Sequence, residues 1–600
     1  MKIKIKILTK QIIFQLLVIS IMKSQTSVNY KISMPEPQSH IFEVEAQFEN
    51  ISKKSKEFKV QLPVWRTGRY VLFDFAGDVL TFSASDGNGK NLNWKKIDKT
   101  TWIIDLNSSK KINLKYKVYA NEFNSRTKGL NSEHGFIDPS AIFVFNEDLR
   151  YDPLTLTVAP YKNWIVTTGL DEIEKNKFSA KDYDYFIDCP LEIGTQKGIS
   201  FLVADKEHKI SIFGTGNYNF DTLKKDFTKL IEYNKKFWGK LPYEKYFFMI
   251  HISPTGSGAT EHINSTIIGT RASVFSTRDS YLNGLLGTVS HEYFHTWNVK
   301  QLRPKTLAPY DFLKENYTRE LWISEGTTSY YDDLILVRTK FKLVNNYLND
   351  LSTRVRNDRR RPGNLIQSLS ESSFDAWIKF WKRTPHSFNF QSDYYEKGAS
   401  VSLLLDLEIR KITKNKISLD DVMKSMFEKF PLIKGGFTVD DFQKEVENLT
   451  NHSFESYFNN YVHGTSPLPW EELLYSAGLS ILPKDTVNEV DAGFSIMEQE
   501  GKTFVQNVTI NSSAMNAGLD LRDEIIALNG ERVRSREVLE KIQSLKKLSA
   551  IKLTIFRNDQ LTEINYTPNY YSTPTYKISK VEKPTELQKK IFETWFDTNW

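Results

Sequence analysis

Residues 290–297 read SHEYFHTW and contain the pattern H-E-x-x-H, formed by His291, Glu292 and His295. On a helix, side chains four positions apart have Cβ atoms about 5–6 Å apart, so both imidazoles can bind one ion. Glu292 points to the adjacent side of the helix, where a water on that ion would lie. Zinc accepts two neutral imidazoles, one carboxylate and a water, and is therefore the metal that this pattern predicts.

A chance occurrence of the pattern is the alternative, and a third ligand argues against it. With 10 histidines among 600 residues, the pattern would arise by chance in on the order of one such chain in a hundred. Residues 321–326 (LWISEG) open a second apolar, helix-compatible run with Glu325 near its start. Gly326 has no side chain, so a neighbouring helix could approach closely. We therefore predict a zinc site of His291, His295 and Glu325, with about one zinc per chain.

These segments also carry a family resemblance. Residues 291–300 (HEYFHTWNVK), Arg303–Pro304 and residues 321–326 resemble the glycyl aminopeptidase family of gluzincin metallopeptidases. That family is distantly related to aminopeptidase N and thermolysin. The resemblance implies a zinc-dependent peptidase in which the three predicted ligands hold the metal and Glu292 is the general base.

The segment at residues 256–262 (GSGATEH) is similar to the family's Gly-Gly-x-Glu-His segment, with Ala259 in place of the second glycine. The resemblance implies an edge strand that binds the substrate backbone at Gly258 and Ala259. It also implies that Glu261 receives the free amine of the substrate. A carboxylate beside an ammonium fixes where the peptide must begin. The alternative is a solvent-exposed loop carboxylate.

Residues 394–399 (YYEKGA) are similar to the Tyr-x-Lys-Gly segment of aminopeptidase N relatives. In those proteins the tyrosine donates a hydrogen bond to the tetrahedral oxyanion. The resemblance assigns this role to Tyr395, with Tyr394 as its neighbour, and two packing tyrosines are the alternative. A tyrosine hydroxyl stays protonated at neutral pH, which suits it to donating this bond.

The chain is too long for a single core, so a multidomain fold is expected. From residue 28 to about 200, strand-length runs alternate with turn residues, which predicts an all-β, sandwich-like domain. Residues 63–65 (PVW) and 68–70 (GRY) also resemble the N-terminal β domain of the glycyl aminopeptidases. Nothing there indicates chemistry, so a scaffold role is predicted. Helical patterns dominate from about residue 220 to 461, where a thermolysin-like, α+β and largely helical zinc peptidase domain is expected.

The β-rich segments at residues 491–496 (DAGFSI), 514–519 and 523–530 look like a PDZ domain. Arg522 stands where the usual pattern has a glycine, which affects the expected loop geometry more than the fold. Residues 492–494 could receive a peptide C-terminus on backbone N–H groups, and a structural PDZ domain is the alternative. The predicted domains are a signal peptide (1–24), an N-terminal β domain (25–200), a catalytic domain (201–472), a PDZ domain (473–571) and a tail (572–600) whose final aromatic residues pack back.

Charge and targeting signals lie mainly at the start of the chain. The net charge is +7, and residues 1–24 hold five lysines and no acid, so little basic excess remains elsewhere. No nucleic-acid partner is therefore predicted. Four of these lysines precede the apolar residues 12–22, which predicts a signal peptide and export to the periplasm or the exterior, with no other membrane contact. An uncleaved anchor is the alternative. Cys189 is the single cysteine, and it is expected to be a small buried hydrophobe.

Together these patterns predict an exported zinc aminopeptidase that hydrolyses the first bond of peptide substrates. The family resemblance implies a preference for a small first residue, Gly or Ala. Two alternatives remain. A zinc endopeptidase would use the same metal site without needing an amine at Glu261. A non-enzymatic binding protein working through its PDZ domain would not need Glu292.

Overall fold

A computed structural model of the chain describes residues 27–52, 55–535, 537–545 and 549–600. The predicted signal peptide lies outside these ranges. Among the described residues, none of the helices has both the length and the apolar character needed to cross a bilayer. The chain divides into two compact units. The first contains the described residues up to Gly216, with Tyr243–Ala272 and Phe312–Lys314, and the second contains Asn217–Pro242, Ser273–Asp311 and Glu315–Trp600.

The first unit is rich in β-strands, which confirms the prediction of an N-terminal β domain. Its largest sheet has seven strands, in the spatial order Asp171–Glu174, Lys177–Ala180, Leu154–Ala159, Val28–Ser33, Ile41–Phe48, Ile112–Tyr119 and Val79–Asp86. Alternate residues of these strands are buried, as expected for sheets that cover a core on one face. A four-stranded sheet contains Ile165–Thr168, Leu191–Gly194, His134–Ile137 and Lys128–Leu130. A three-stranded sheet contains Glu57–Gln61, Thr101–Asp105 and Trp94–Lys96.

A five-stranded sheet belongs to the same unit, although its strands extend beyond residue 200. Its spatial order is Lys197–Val203, Lys206–Phe213, Lys245–Ile252, Ser265–Thr270 and Ala259–Glu261. The last strand pairs antiparallel with Ser265–Thr270 and forms one edge of the sheet. The structure thus places Ala259 and Glu261 on an edge strand, with Gly258 directly before it. An edge strand has unpaired backbone groups that can bind another chain.

The second unit holds the helical peptidase region. Its helix Glu396–Ile412 is buried on nearly every face and lies inside the helical core. The other α-helices of this region are Phe220–Trp238, Arg278–Tyr281, Gly287–Phe294, Thr327–Arg338, Val344–Arg360, Leu369–Phe374, Ser387–Phe390, Leu419–Lys429, Val439–Thr450, Glu455–Tyr461 and Trp470–Ser476.

The PDZ region has a sheet and a hydrophobic core of its own, which confirms that prediction. Arg522 adopts the left-handed conformation, with φ of 66°, that the usual glycine would favour. The strands are Phe494–Gln499, Lys502–Val508, Glu524–Leu528, Ile551–Arg557 and Gln560–Tyr566, with Glu531–Arg532 paired beside Glu524–Leu528, and the helices are Ser513–Asn516 and Glu537–Gln543.

Before and after the PDZ region, the long strands Leu479–Asp491 and Asn569–Lys580 pair antiparallel. The chain then ends in the helix Glu586–Phe596, which packs against the peptidase helices as expected. Trp595 is fully buried, and its indole N–H donates to the hydroxyl of Tyr330 at 2.9 Å. Its carbonyl oxygen accepts from Nε of Arg338 at 2.8 Å.

Candidate active site and metal centre

The three predicted metal ligands lie together in the second unit. Nε2 of His291 is 3.1 Å from Nε2 of His295. Oε2 of Glu325 lies 3.2 Å from the His295 nitrogen and 3.6 Å from the His291 nitrogen. The His295 and Glu325 side chains are buried, and that of His291 is 16% exposed, so the cluster is open on one side.

The hydrogen bonds behind the imidazoles indicate what the cluster can hold. Nδ1 of His295 lies 2.8 Å from the carbonyl oxygen of Asn298, which can only accept, so this nitrogen carries the proton. Nδ1 of His291 likewise lies 2.9 Å from Oδ2 of Asp332. In the neutral rings both Nε2 atoms therefore present lone pairs to each other and to a carboxylate oxygen. Three converging acceptors need a cation between them, and this donor set suits zinc.

Asp332 is a further candidate site residue, which the sequence patterns did not indicate. It follows Glu325 by seven positions and lies on the helix Thr327–Arg338 that continues from the turn carrying Glu325. A carboxylate that accepts from the outer nitrogen of a metal-binding histidine fixes the ring and makes it a stronger ligand. The available signal was the seven-residue spacing, which places two residues on one face of a helix.

The charge on Glu325 is held by its neighbours. Burial acts to raise the pKa of its carboxyl, but charge attraction and hydrogen bonding to the His295 and His291 imidazoles, in their protonated forms, outweigh burial and lower that pKa. When the imidazoles are neutral and bind a cation, the Glu325 carboxylate supplies the negative charge of the ligand set.

Two motif glycines bring the segments of Glu325 and Tyr395 together. A Cβ on Gly326 would lie 2.5 Å from Cα of Gly398 and 2.7 Å from the carbonyl oxygen of Tyr394. A Cβ on Gly398 would lie 2.9 Å from Cα of Gly326. A side chain at either position would therefore separate the two backbones, which confirms the close approach expected at Gly326.

The two adjacent tyrosines have different environments. Tyr394 is fully buried, and its hydroxyl accepts from the indole N–H of Trp381 at 3.0 Å. Tyr395 is half-buried at the start of the helix Glu396–Ile412, and its ring centroid is 6.4 Å from that of His291. The structure therefore brings Tyr395 beside the metal cluster and engages Tyr394 in packing.

Glu292 lies on the same helix as His291 and is 7% exposed. One of its carboxylate oxygens is within 4.8 Å of an imidazole nitrogen of His295. This places a carboxylate beside the cluster, where a proton acceptor can act on a water.

Glu261 belongs to the first unit, where its side chain is also buried, at 6% exposure, so it is not the exposed loop carboxylate considered as the alternative.

A second His–Glu–His group lies in the first unit. Nε2 of His134 and Nε2 of His251 are each 2.5 Å from a different oxygen of the buried Glu192. Nδ1 of His134 is buried and has no hydrogen-bond partner in the described part of the chain. Separate oxygens at this distance indicate direct hydrogen bonds, and a metal-binding histidine would need a partner for its other nitrogen. This group is therefore a hydrogen-bonded triad and a poorer metal site than the first cluster.

Comparisons with known proteins agree with this geometry. Three family models match, described as Peptidase M61 N-terminal domain over residues 29–195, M61 glycyl aminopeptidase over 284–401 and PDZ domain over 490–567. No curated protein matches the chain. A solved aminopeptidase N family protein from Idiomarina loihiensis is 27% identical, with a TM-score of 0.87, over 94% of this chain and 100% of that chain.

Two further solved structures are more distant. An M1 zinc metallopeptidase mutant from Deinococcus radiodurans, bound to a Tyr-Ser-Ala substrate, is 14% identical with a TM-score of 0.46, over 74% of this chain and 94% of that chain. The yeast LTA4 hydrolase in complex with bestatin is 13% identical with a TM-score of 0.47, over 74% of this chain and 68% of that chain.

Proposed function

We propose that this metallopeptidase, whose segments match the M61 glycyl aminopeptidase models, removes small first residues, glycine or alanine, from peptides with a single zinc ion. The observation that carries the proposal is the convergence of His291, His295 and Glu325 beside Glu292. A base next to an open metal site has no use in a pure binding protein. A zinc endopeptidase is the competing function, and recognition of the free amine separates the two.

Each residue of the site has a separate role in the proposed hydrolysis. When bound by its three ligands, zinc supplies Lewis acidity, which lowers the pKa of a coordinated water from about 15.7 towards 7 and polarises the substrate carbonyl. Glu292 accepts the proton of the attacking water and then gives it to the leaving nitrogen. Tyr395 donates its hydroxyl proton in a hydrogen bond to the oxyanion. Asp332 and the Asn298 carbonyl keep the imidazoles oriented.

Replacing Tyr395 with phenylalanine should lower kcat by roughly 10²–10³-fold, as loss of one oxyanion donor typically does. Zinc content should not change, because Tyr395 is not a predicted ligand. The matched control is Tyr394→Phe, which removes a hydroxyl engaged with Trp381 and should leave kcat nearly unchanged. Steady-state kinetics on a glycyl amide measures both variants. An unchanged kcat for Tyr395→Phe would assign Tyr395 to packing alone.

Glu261 is proposed to select substrates with a free amine. An α-amino group titrates near about 7.7–8.0 in model peptides, so it is largely cationic at neutral pH. A charge-assisted hydrogen bond to a carboxylate is worth roughly 1.5–3 kcal/mol. Acetylation removes the cation and leaves the buried carboxylate facing a neutral amide, which costs further free energy.

We therefore expect a glycyl peptide with a free amine to be cleaved and the N-acetylated form of the same peptide to resist cleavage. Glu261→Ala should lower kcat/KM on the free peptide by roughly 10- to 100-fold and narrow the difference between the two peptides. Product analysis by mass spectrometry, with zinc content measured in parallel, gives the comparison. Cleavage of the acetylated peptide at the rate of the free one would favour the endopeptidase.

The remaining proposals concern the ends of the chain. Residues 1–24 would direct export to the periplasm or the exterior, and residues 492–494 of the PDZ domain would bind a peptide C-terminus. Sequencing the N-terminus of the protein from its native host tests the first proposal, since an intact residue 1 would mean that no signal peptide is removed.

A further inference from the structure

The loop at residues 65–70 (WRTGRY), here called the WRTGRY loop, lies against Glu261 within the first compact unit. At Gly68, φ is 77°, and an added Cβ would lie 2.6 Å from Oε2 of Glu261 and 3.0 Å from its Oε1. The carboxylate thus rests directly on the glycine backbone. Any side chain at this position would occupy the place of the carboxylate oxygens.

A shared carboxylate fixes this loop to the strand of Glu261. The hydroxyl of Thr67 donates to Oδ1 of Asp188 at 3.1 Å, and Nδ1 of His262 lies 3.1 Å from the same oxygen. All three side chains are buried. Because His262 directly follows Glu261 in the chain, Asp188 holds the loop and the end of the edge strand at one point.

The loop also supplies a buried cation. Arg66 is 1% exposed and donates to the carbonyl oxygen of Thr67 at 3.0 Å. Burial and then Arg126 lower the pKa of Arg66 to about 9, while Asp138 and Glu261 act to raise it. Arg66 therefore remains charged at neutral pH. The positive charge of Arg66 also interacts with the Glu261 carboxylate, so the loop and Glu261 are linked by charge as well as by packing.

We propose that the WRTGRY loop is part of the amine-recognition site, with Gly68 as the positioning residue that sets where the Glu261 carboxylate lies and Asp188 as the anchor of the loop. This inference rests on the proposed role of Glu261 and extends it to a segment for which the sequence predicted only a scaffold. The ligand it serves is the primary ammonium group of a peptide.

Gly68→Ala should displace the carboxylate and reduce kcat/KM for a free glycyl peptide by about tenfold or more, mainly through KM. The matched control is Gly89→Ala. Gly89 has φ of 85° and no atom within 4 Å of an added Cβ, so this variant carries the same backbone strain without touching Glu261. It should retain wild-type kinetics. Equal kinetics for the two variants would overturn the proposal.

A double-mutant cycle shows whether Gly68 acts through Glu261. In a Glu261→Ala background, Gly68→Ala should cause no further loss on the free peptide. An equal loss in both backgrounds would mean that the loop affects another step, and would overturn the proposal. If Glu261→Ala alone leaves discrimination against the acetylated peptide unchanged, the amine role itself fails, which is a distinct result.

A second pair of variants covers the case in which Gly68→Ala does not fold. Thr67→Val removes the hydroxyl bonded to Asp188, whereas Thr67→Ser keeps it. We expect Thr67→Val to raise KM for the free peptide several-fold with zinc content unchanged, and Thr67→Ser to restore the wild-type KM. A normal KM for Thr67→Val would show that the anchor is not needed.

Discussion

Glu292→Gln is expected to lose nearly all turnover while keeping its zinc. Glutamine has almost the same shape as glutamate but cannot accept a proton, and general acid–base catalysis typically contributes 10²–10⁴-fold, so a loss of about that size in kcat is expected. Glu292 is not among the three converging ligands, yet its carboxylate lies within 4.8 Å of a His295 nitrogen. The variant thus separates the base from the metal site.

Elemental analysis and kcat measured on one preparation test this expectation. A variant with about one zinc per chain and almost no turnover supports Glu292 as the base. A variant as active as wild type would show that another group takes the proton. Loss of zinc from Glu292→Gln would show instead that Glu292 supports the metal.

Glu325→Ala is expected to lose both the metal and all measurable activity. Without it, His291 and His295 remain as two neutral ligands with their Nε2 atoms 3.1 Å apart, and no anion completes the site. The fold should persist, because the contact between Gly326 and Gly398 involves backbone atoms only. Glu428→Ala is the matched control, because that exposed carboxylate lies on the separate helix Leu419–Lys429.

Zinc content by elemental analysis and cleavage of a glycyl amide measure this second expectation. Wild type and Glu428→Ala should hold about one zinc per chain, and Glu325→Ala should hold almost none. Full zinc occupancy in Glu325→Ala would show that another residue is the third ligand. Protein purified without chelator that contains no metal would contradict the zinc mechanism as a whole.

The convergence of the three candidate metal ligands was predictable because helical spacing links His291 to His295, and a second helical segment carries Glu325. Asp332 was not predicted, since a single aspartate on a helix has many other uses and no short motif marks it. Its role is visible only once the helix Thr327–Arg338 lies beside the His291 imidazole. The close approach expected at Gly326 is present, so a local pattern can predict that a contact forms. The partner of Gly326 in that contact, Gly398, comes from a distant segment and was not predicted.

The contacts of the first unit were the hardest to predict. The strand Lys206–Phe213 pairs in parallel with Lys245–Ile252, which follows an intervening helix in the chain. The membership of these strands in one sheet therefore depends on hydrogen bonds between residues that are far apart in the sequence. The same is true of the WRTGRY loop, where the sequence predicted only a scaffold. The contact between Gly68 and Glu261 depends on how two distant segments pack, and the local composition of neither segment predicts that packing.

The C-terminal helix has a consequence for how the protein is made. Its Trp595 donates to Tyr330, which lies 265 residues earlier on the helix that also carries Asp332. A ribosome adds about 5–20 residues per second, so Trp595 is synthesised roughly 10–50 s after Tyr330. The peptidase core therefore cannot be completed until the PDZ region has also been synthesised. During that interval Tyr330 and Arg338 lack their partners on the C-terminal helix, so we expect the growing chain to be less stable than the finished protein.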